Sequence, residues 1–313
     1  MAGRLKIVFM GTPEYAVPCL NALAARGYDV PLVVTQPDKP RGRGRRMAPP
    51  PVKTAAQSLD LAVIQPVSVR TEEFACRLAD IGPDLLVVVA YGKILPRPVL
   101  DLPARGAVNI HPSLLPRYRG PSPIQWAIAC MEQETGVTSI FMDEGMDSGD
   151  MILSARAPIL PDDTAADLHD RLAALGAAVL IDTLDLIENG TAVPVPQDPE
   201  KVTFAPLLRK ADGRIDWNRP SEGLCRFVNA MNPWPGAFTE ADGRRYRILR
   251  ALPVALEKVP PPGTVVGRFP GELVVATADG GLSIERIQGE AGKPLAVADF
   301  LRGHAIAEGT VFS

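Results

Sequence analysis

Leu85-Leu-Val-Val-Val-Ala90 is an unbroken apolar run. It is too short to span a bilayer and lacks the alternation of a strand with one wet face, so it reads as a central strand of a parallel sheet buried on both sides. Working outward, Lys6-Ile-Val-Phe-Met10 reads as a second buried strand, followed by the turn Gly11-Thr-Pro13 and a helical stretch to Ala25. Residues 30–35 form another strand, and 71–81 carry helical periodicity. Residues 107–111, 137–142 and 151–155 read as further strands. Residues 164–188 read as a long amphipathic helix opened by Asp-Asp-Thr capping chemistry. Strands alternating with helices predict an α/β, doubly wound, mostly parallel sheet. The first turn lacks G-x-G-x-x-G, so no dinucleotide site is expected there.

The pattern changes after Asn189. Residues 190–207 are rich in Pro, Thr and Val without periodicity and read as an extended linker. From residue 208 to 313, short strand-like runs (Phe238-Thr-Glu, Tyr246-Arg-Ile-Leu-Arg, Gly263-Thr-Val-Val-Gly, Glu272-Leu-Val-Val-Ala-Thr, Gly281-Leu-Ser-Ile-Glu) are separated by turn signals. This spacing predicts a small C-terminal β-barrel behind a first domain of residues 1–189.

The chain of 313 residues is 46% apolar and 22% charged, ordinary for a globular protein with a real core. No secretory segment is read at the N-terminus. The four cysteines make no C-x-x-C pair, and no His/Cys/Asp/Glu cluster has ligand spacing, so neither a disulfide framework nor a metal site is expected. These features predict a cytoplasmic protein with no membrane association. A net charge of −3 argues against a general nucleic-acid binder, but its distribution is uneven. Between Asp38 and Lys53 lie Lys39, Arg41, Arg43, Arg45 and Arg46, a concentrated basic loop on an acidic body, suited to touching phosphate at one place.

Asn109 and His111 close the strand at 107–111 and share a face, since side chains two apart on a strand point the same way. They would sit at the carboxyl end of a buried sheet, where open α/β sheets bind ligands. Asp147 lies in Met142-Asp-Glu-Gly-Met-Asp-Ser-Gly-Asp150, a segment with the glycine content of a tight loop. An amide donor, an imidazole and a carboxylate are the set needed for acyl transfer without a covalent intermediate. On spacing alone, an ordinary hydrogen-bonded loop pair is an equal alternative.

The run Asn109-Ile-His-Pro-Ser-Leu-Leu-Pro-Arg-Tyr-Arg-Gly-Pro-Ser-Pro-Ile-Gln125 resembles the signature of folate-dependent formyltransferases, and Asp143-Glu-Gly-Met-Asp-Ser-Gly-Asp150 resembles their second block. Gly11-Thr-Pro13, Gln36-Pro-Asp-Lys-Pro-Arg-Gly-Arg-Gly-Arg-Arg46 and Asn232-Pro-Trp-Pro-Gly236 narrow the likeness to the branch that acts on methionyl initiator tRNA. The resemblance implies a Rossmann-like sheet with an OB-like C-terminal barrel, and formyl transfer from 10-formyltetrahydrofolate. It implies an oxyanion donor in Asn109, an acid/base in His111 and an orienting carboxylate in Asp147. It further implies a folate wall of Ser113, Leu114, Leu115 and Pro116, and a pterin pocket lined by Tyr91, Gly92, Ile94 and Leu95. Arg41, Arg43, Arg45 and Arg46 would meet the tRNA, Arg43 decisively, and Tyr15 would border a methionyl pocket, a packed core position being the alternative. Trp234 is expected to pack rather than to stack on a base. A monomer working on initiator tRNA is expected. The trio alone does not separate this branch from enzymes formylating glycinamide ribonucleotide or amino sugars, or from a formyl-folate hydrolase, whereas a non-catalytic folate- or RNA-binding module would have little use for it.

Overall fold

The computed structural model describes residues 4–41, 46–267, 271–290 and 292–313, with the side chain of Arg41 not described. Two compact units result: Met1–Pro123, Glu134–Pro158 and His169–Pro206 form one, and Ile124–Gln133, Ile159–Leu168 and Leu207–Ser313 the other.

Strand β1 (Lys6–Gly11) is followed by α1 (Val17–Ala25), β2 (Asp29–Val34), the short strands β3 (Lys39–Arg41) and β4 (Arg46–Ala48), α2 (Pro51–Ser58), β5 (Val63–Ile64) and α3 (Glu72–Ile81). Then come β6 (Leu85–Val89), α4 (Arg97–Leu100), β7 (Ala107–His111), α5 (Pro123–Ala129), β8 (Glu134–Phe141), β9 (Met151–Pro158) and α6 (Ala165–Glu188). One seven-stranded sheet has the order β5-β2-β1-β6-β7-β8-β9. The strands from β5 to β7 are parallel, and β6 is buried along its whole length, as its unbroken apolar run predicts. α3 shows the local logic of its sequence. Thr71 caps it by accepting from the Phe74 N–H, its Phe74 and Leu78 are buried, and Gly82 ends it at φ 58.

The sheet is less uniform than expected. β8 runs antiparallel to β7, and also to β9, to which it is joined by the short loop 142–150, a connection that makes an antiparallel pair. β9 lies at the sheet edge and is mostly exposed along one face. The two ends of the expected basic loop form strands. β3 and β4 pair as an antiparallel ribbon with Lys39 opposite Ala48, and the proline run behind it opens α2, where a missing N–H costs nothing. Gly42, Arg43, Gly44 and Arg45 lie outside the described residues. The expected linker is not a free connector: Val195 bridges Met151, and Phe204 bridges Arg119.

In the second unit, α7 (Ser221–Met231) precedes β10 (Ala237–Ala241), β11 (Arg244–Val254), β12 (Val265–Val266), β13 (Val274–Ala276), β14 (Gly281–Gly289), β15 (Leu295–Ala296) and α8 (Val297–Gly303). The strands make an antiparallel sheet in the order β10-β11-β14-β13-β12, with β15 added beside β14. Ile248, Leu282, Ile284 and Ile287 supply its buried face, with Leu224 and Val228 of α7 and Phe300 of α8 also buried. The C-terminal tail bonds to both edges: Phe312 N–H donates to Gly263 and Ser313 N–H to Glu240.

Candidate active site

The strand order reverses between β1 and β6, and the carboxyl ends of β6 and β7 open there into a cavity of about 510 Å³. Asn109 and His111 reach it from one face of β7, and Asp147 meets them from the loop after β8. Asn109 Nδ2 donates to Asp147 Oδ1 at 3.1 Å, and His111 Nδ1 stands 3.6 Å from Asp147 Oδ2. The Gly120 N–H donates to that same Oδ2 at 2.8 Å. The trio thus converges on one carboxylate.

His111 is buried, and its Nε2 lies 3.0 Å from the carbonyl oxygen of Tyr118. A carbonyl only accepts, so Nε2 carries the hydrogen and Nδ1, turned toward Asp147, is the nitrogen able to take up a proton. Asn109 uses one amide N–H on Asp147 and retains the other for a ligand.

Val88, Ile110, Ile140 and Met142 give the cavity an apolar lining, and the turn at 90–94 forms one wall. The Tyr91 carbonyl accepts from Thr12 Oγ1 at 3.0 Å and Gln36 Nε2 at 2.8 Å, which pins that turn. Gly92 has φ 80, a conformation that a side chain would strain. Lys93 is tied to the carbonyls of Pro66 and Val67, and desolvation, with Lys39 adding repulsion, pushes its ammonium below its ordinary pKa. The basic ribbon joins this wall: Lys39 Nζ donates to Gln36 Oε1 at 2.6 Å, while Asp38 accepts from Gln65 and Lys53. A largely apolar slot of this volume suits a flat, ring-containing ligand.

Tyr91, Gly92 and Ile94 line the cavity, whereas Leu95 is turned into the core behind them. Ser113, Leu114, Leu115 and Pro116 are not among its lining residues. The chain turns there over β8: Thr138 Oγ1 donates to the Ser113 carbonyl and accepts from the Leu115 N–H, so this segment braces the floor from outside the cavity. Tyr15 is a core residue rather than a pocket rim, its hydroxyl donating to the Leu172 carbonyl and its ring set edge-on to His169. Arg41 and Arg46 are paired in the backbone register of the ribbon, and Arg46 is exposed. Trp234, expected to pack, is 47% exposed. Sequence reasoning missed the Gly120 N–H, the Tyr118 carbonyl and Gln197, whose side chain grips the Asp147 loop. Among the described residues, no group of three His, Cys, Asp or Glu side chains could hold a metal ion, and no helix is long and apolar enough to cross a membrane.

Two family models match the chain, formyl transferase over residues 5–184 and the formyl transferase C-terminal domain over 207–305. Fold and site therefore define a formyl-transferring enzyme. Curated relatives named methionyl-tRNA formyltransferase include those of Desulforamulus reducens (45% identical over 98% of this chain and 97% of the relative) and Geobacter sulfurreducens (46% over 99% and 97%). The chain belongs to the methionyl-tRNA formyltransferase family. Among solved structures, HypX from Aquifex aeolicus in complex with tetrahydrofolic acid superposes with a TM-score of 0.66 at 20% identity, over 96% of this chain and 47% of HypX. An N-formyltransferase from Helicobacter canadensis, complexed with folinic acid and dTDP-3-aminofucose, gives a TM-score of 0.67 at 19% identity, over 91% of this chain and all of that one. At these identities the likeness is one of fold.

Proposed function

We propose that this enzyme moves the formyl group of 10-formyltetrahydrofolate onto the α-amino group of methionyl initiator tRNA. The observation that carries the reading is the convergence of Asn109 and His111 on Asp147 at the floor of an apolar cavity. The amine attacks the formyl carbon directly, and negative charge develops on the formyl oxygen. The free N–H of Asn109 stabilises that oxygen, a contribution of roughly 3 kcal/mol when such a donor is removed from an oxyanion hole. His111 and Asp147 take the ammonium proton, and the nitrogen of the folate leaves as it regains one.

Tyr91, Gly92 and Ile94 would contact the folate, with Leu95 and residues 113–116 supporting them from behind. Arg41, Arg43, Arg45 and Arg46 would bind acceptor-end phosphates, which places the tRNA beside the wall that the ribbon's base already touches. Residues 1–189 would be the catalytic domain, 190–207 its linker, and 208–313 an OB-like barrel that adds tRNA contacts. Bonding of the C-terminal tail to both sheet edges supports the barrel reading. A cytoplasmic monomer fits this role. The direct test supplies purified protein with 10-formyltetrahydrofolate and, in parallel, charged initiator tRNA, glycinamide ribonucleotide and a nucleotide-linked amino sugar. Formylation of the tRNA is expected, and formylation of either small acceptor alone would reassign the substrate.

A further inference from the structure

Residues 190–206, which follow α6 and include one 3-10 turn at Pro199–Lys201, run past both loops that support the trio. Val195 and Met151 exchange backbone hydrogen bonds of 2.8 and 2.9 Å. Farther along, the Tyr118 N–H donates to Thr203 Oγ1 at 2.8 Å, the Arg119 N–H to the Thr203 carbonyl at 2.9 Å, and the Ala205 N–H to the Arg119 carbonyl at 2.7 Å. Between these two anchor points lies Gln197. Its Nε2 donates to the carbonyls of Asp147 and Gly149, each at 2.8 Å, and its Oε1 accepts from Arg119 Nε at 2.9 Å.

The partners fix which way the amide points. A guanidinium only donates, so the amide oxygen must face Arg119, and both N–H groups are left for the two carbonyls. Those carbonyls belong to a turn that needs outside support, since Asp147 holds φ 51, where L-residues seldom rest. Gly149 admits no side chain, because a Cβ there would collide with the Phe141 carbonyl. The Asp147 backbone is thus held by Gln197 while its carboxylate is shared among Asn109, Gly120 and His111.

We propose that Gln197 is a positioning residue for formyl transfer: it aims the Asp147 carboxylate by gripping the Asp147 and Gly149 carbonyls, and Arg119 sets the orientation of its amide. The inference rests on the assignment of Asp147 to the catalytic trio. The test measures formylation of charged initiator tRNA by the full-length enzyme, in steady state and in single turnover with enzyme in excess, for Gln197→Ala, Gln197→Glu, Asp147→Ala and the double variant Gln197→Ala/Asp147→Ala. Gln197→Ala should lower kcat about 10- to 100-fold, the scale of a small misplacement in an active site, while the protein stays folded at the assay temperature. The KM for 10-formyltetrahydrofolate should stay within about twofold, since the lost interaction acts on the transition state. Gln197→Glu should be no better, because a carboxylate offers the carbonyls no N–H. In the Asp147→Ala background, Gln197→Ala should cost nothing further. A wild-type kcat in Gln197→Ala beside an impaired Asp147→Ala overturns the proposal, as do losses that multiply in the double variant. A wild-type kcat in Asp147→Ala overturns the catalytic reading itself. If Gln197→Ala does not fold, Arg119→Met leaves the amide in place but free to rotate, and wild-type turnover in that variant overturns the proposal.

Discussion

The imidazole of His111 donates from Nε2 to the carbonyl oxygen of Tyr118 at 3.0 Å, so a backbone group in the loop after β7, rather than the carboxylate of Asp147, fixes its tautomer. Asp147 is left to accept from Asn109 and Gly120 and to face the other ring nitrogen. Asn109→Ala, His111→Ala and Asp147→Ala should each lower turnover by about 10²- to 10⁴-fold with the fold intact. Pairwise combinations should lose much less than the product of the single losses, because the groups serve one transition state. Steady-state rates of the singles and doubles, with circular dichroism as the fold control, check this. Near wild-type turnover in any single variant removes that residue from the mechanism.

Gly120 combines a structural and a chemical demand. Its φ of 115 is closed to other residues, and a Cβ would stand 2.8 Å from the Ala205 carbonyl oxygen, while its N–H holds Asp147. Gly120→Ala should destabilise the protein by about 1–3 kcal/mol. It should also lower kcat, as the N–H is drawn away from Oδ2. Thermal melting and kinetics on one preparation test both halves, and an unchanged melting temperature would show that the loop relaxes without cost.

Features confined to one element were legible in the sequence. The burial of β6 follows from its unbroken apolar run, and the shared face of Asn109 and His111 from their spacing of two. What escaped depends on distant partners. The antiparallel direction of β8 shows in its pairing with β7, across α5 in the chain, the core position of Tyr15 in its bond to Leu172, and the grip of Gln197 in the carbonyls of Asp147 and Gly149, some fifty residues away. Residues 113–116 show a further limit: whether an apolar stretch beside a site also has its backbone tied to β8, as it does here, is set by the distant Thr138. No periodicity encodes that choice.

Asp38 ties the base of the ribbon in a pH-dependent way. Its carboxylate accepts from Gln65 at 2.6 Å and from Lys53 at 2.9 and 3.0 Å, and these bonds hold its pKa below the ordinary 3.8. A carboxyl whose folded pKa is depressed contributes stability above its unfolded value, and that stability is lost as pH falls through the folded one. Asp38→Asn should therefore melt below the wild type at neutral pH, by a small and salt-sensitive margin because the pair is partly exposed. The gap should close as the pH drops below the usual carboxylate range. A gap that persists into strong acid would show that the shape of the residue, rather than its charge, is what counts.

The last prediction concerns the arginines that would separate a tRNA enzyme from its small-acceptor relatives. Lys39 at the ribbon's base is bonded to Gln36, and Gln36 to the Tyr91 carbonyl, so the ribbon is anchored to the same wall proposed to bind folate. That anchoring permits two outcomes for a change in the ribbon. If the arginines bind phosphate, each contact releases counterions, and the slope of log affinity against log salt becomes shallower by about one for every arginine removed. Arg43→Ala and Arg46→Ala should then raise the KM for charged tRNA and flatten its salt dependence, with tetrahydrofolate binding unchanged by calorimetry. Arg43→Ala should have the larger effect. If either variant weakens folate binding in equal measure, the ribbon acts through the Gln36–Tyr91 contact and braces the folate wall. The tRNA contacts would then have to be sought elsewhere, and the acceptor itself retested against glycinamide ribonucleotide and the amino sugars.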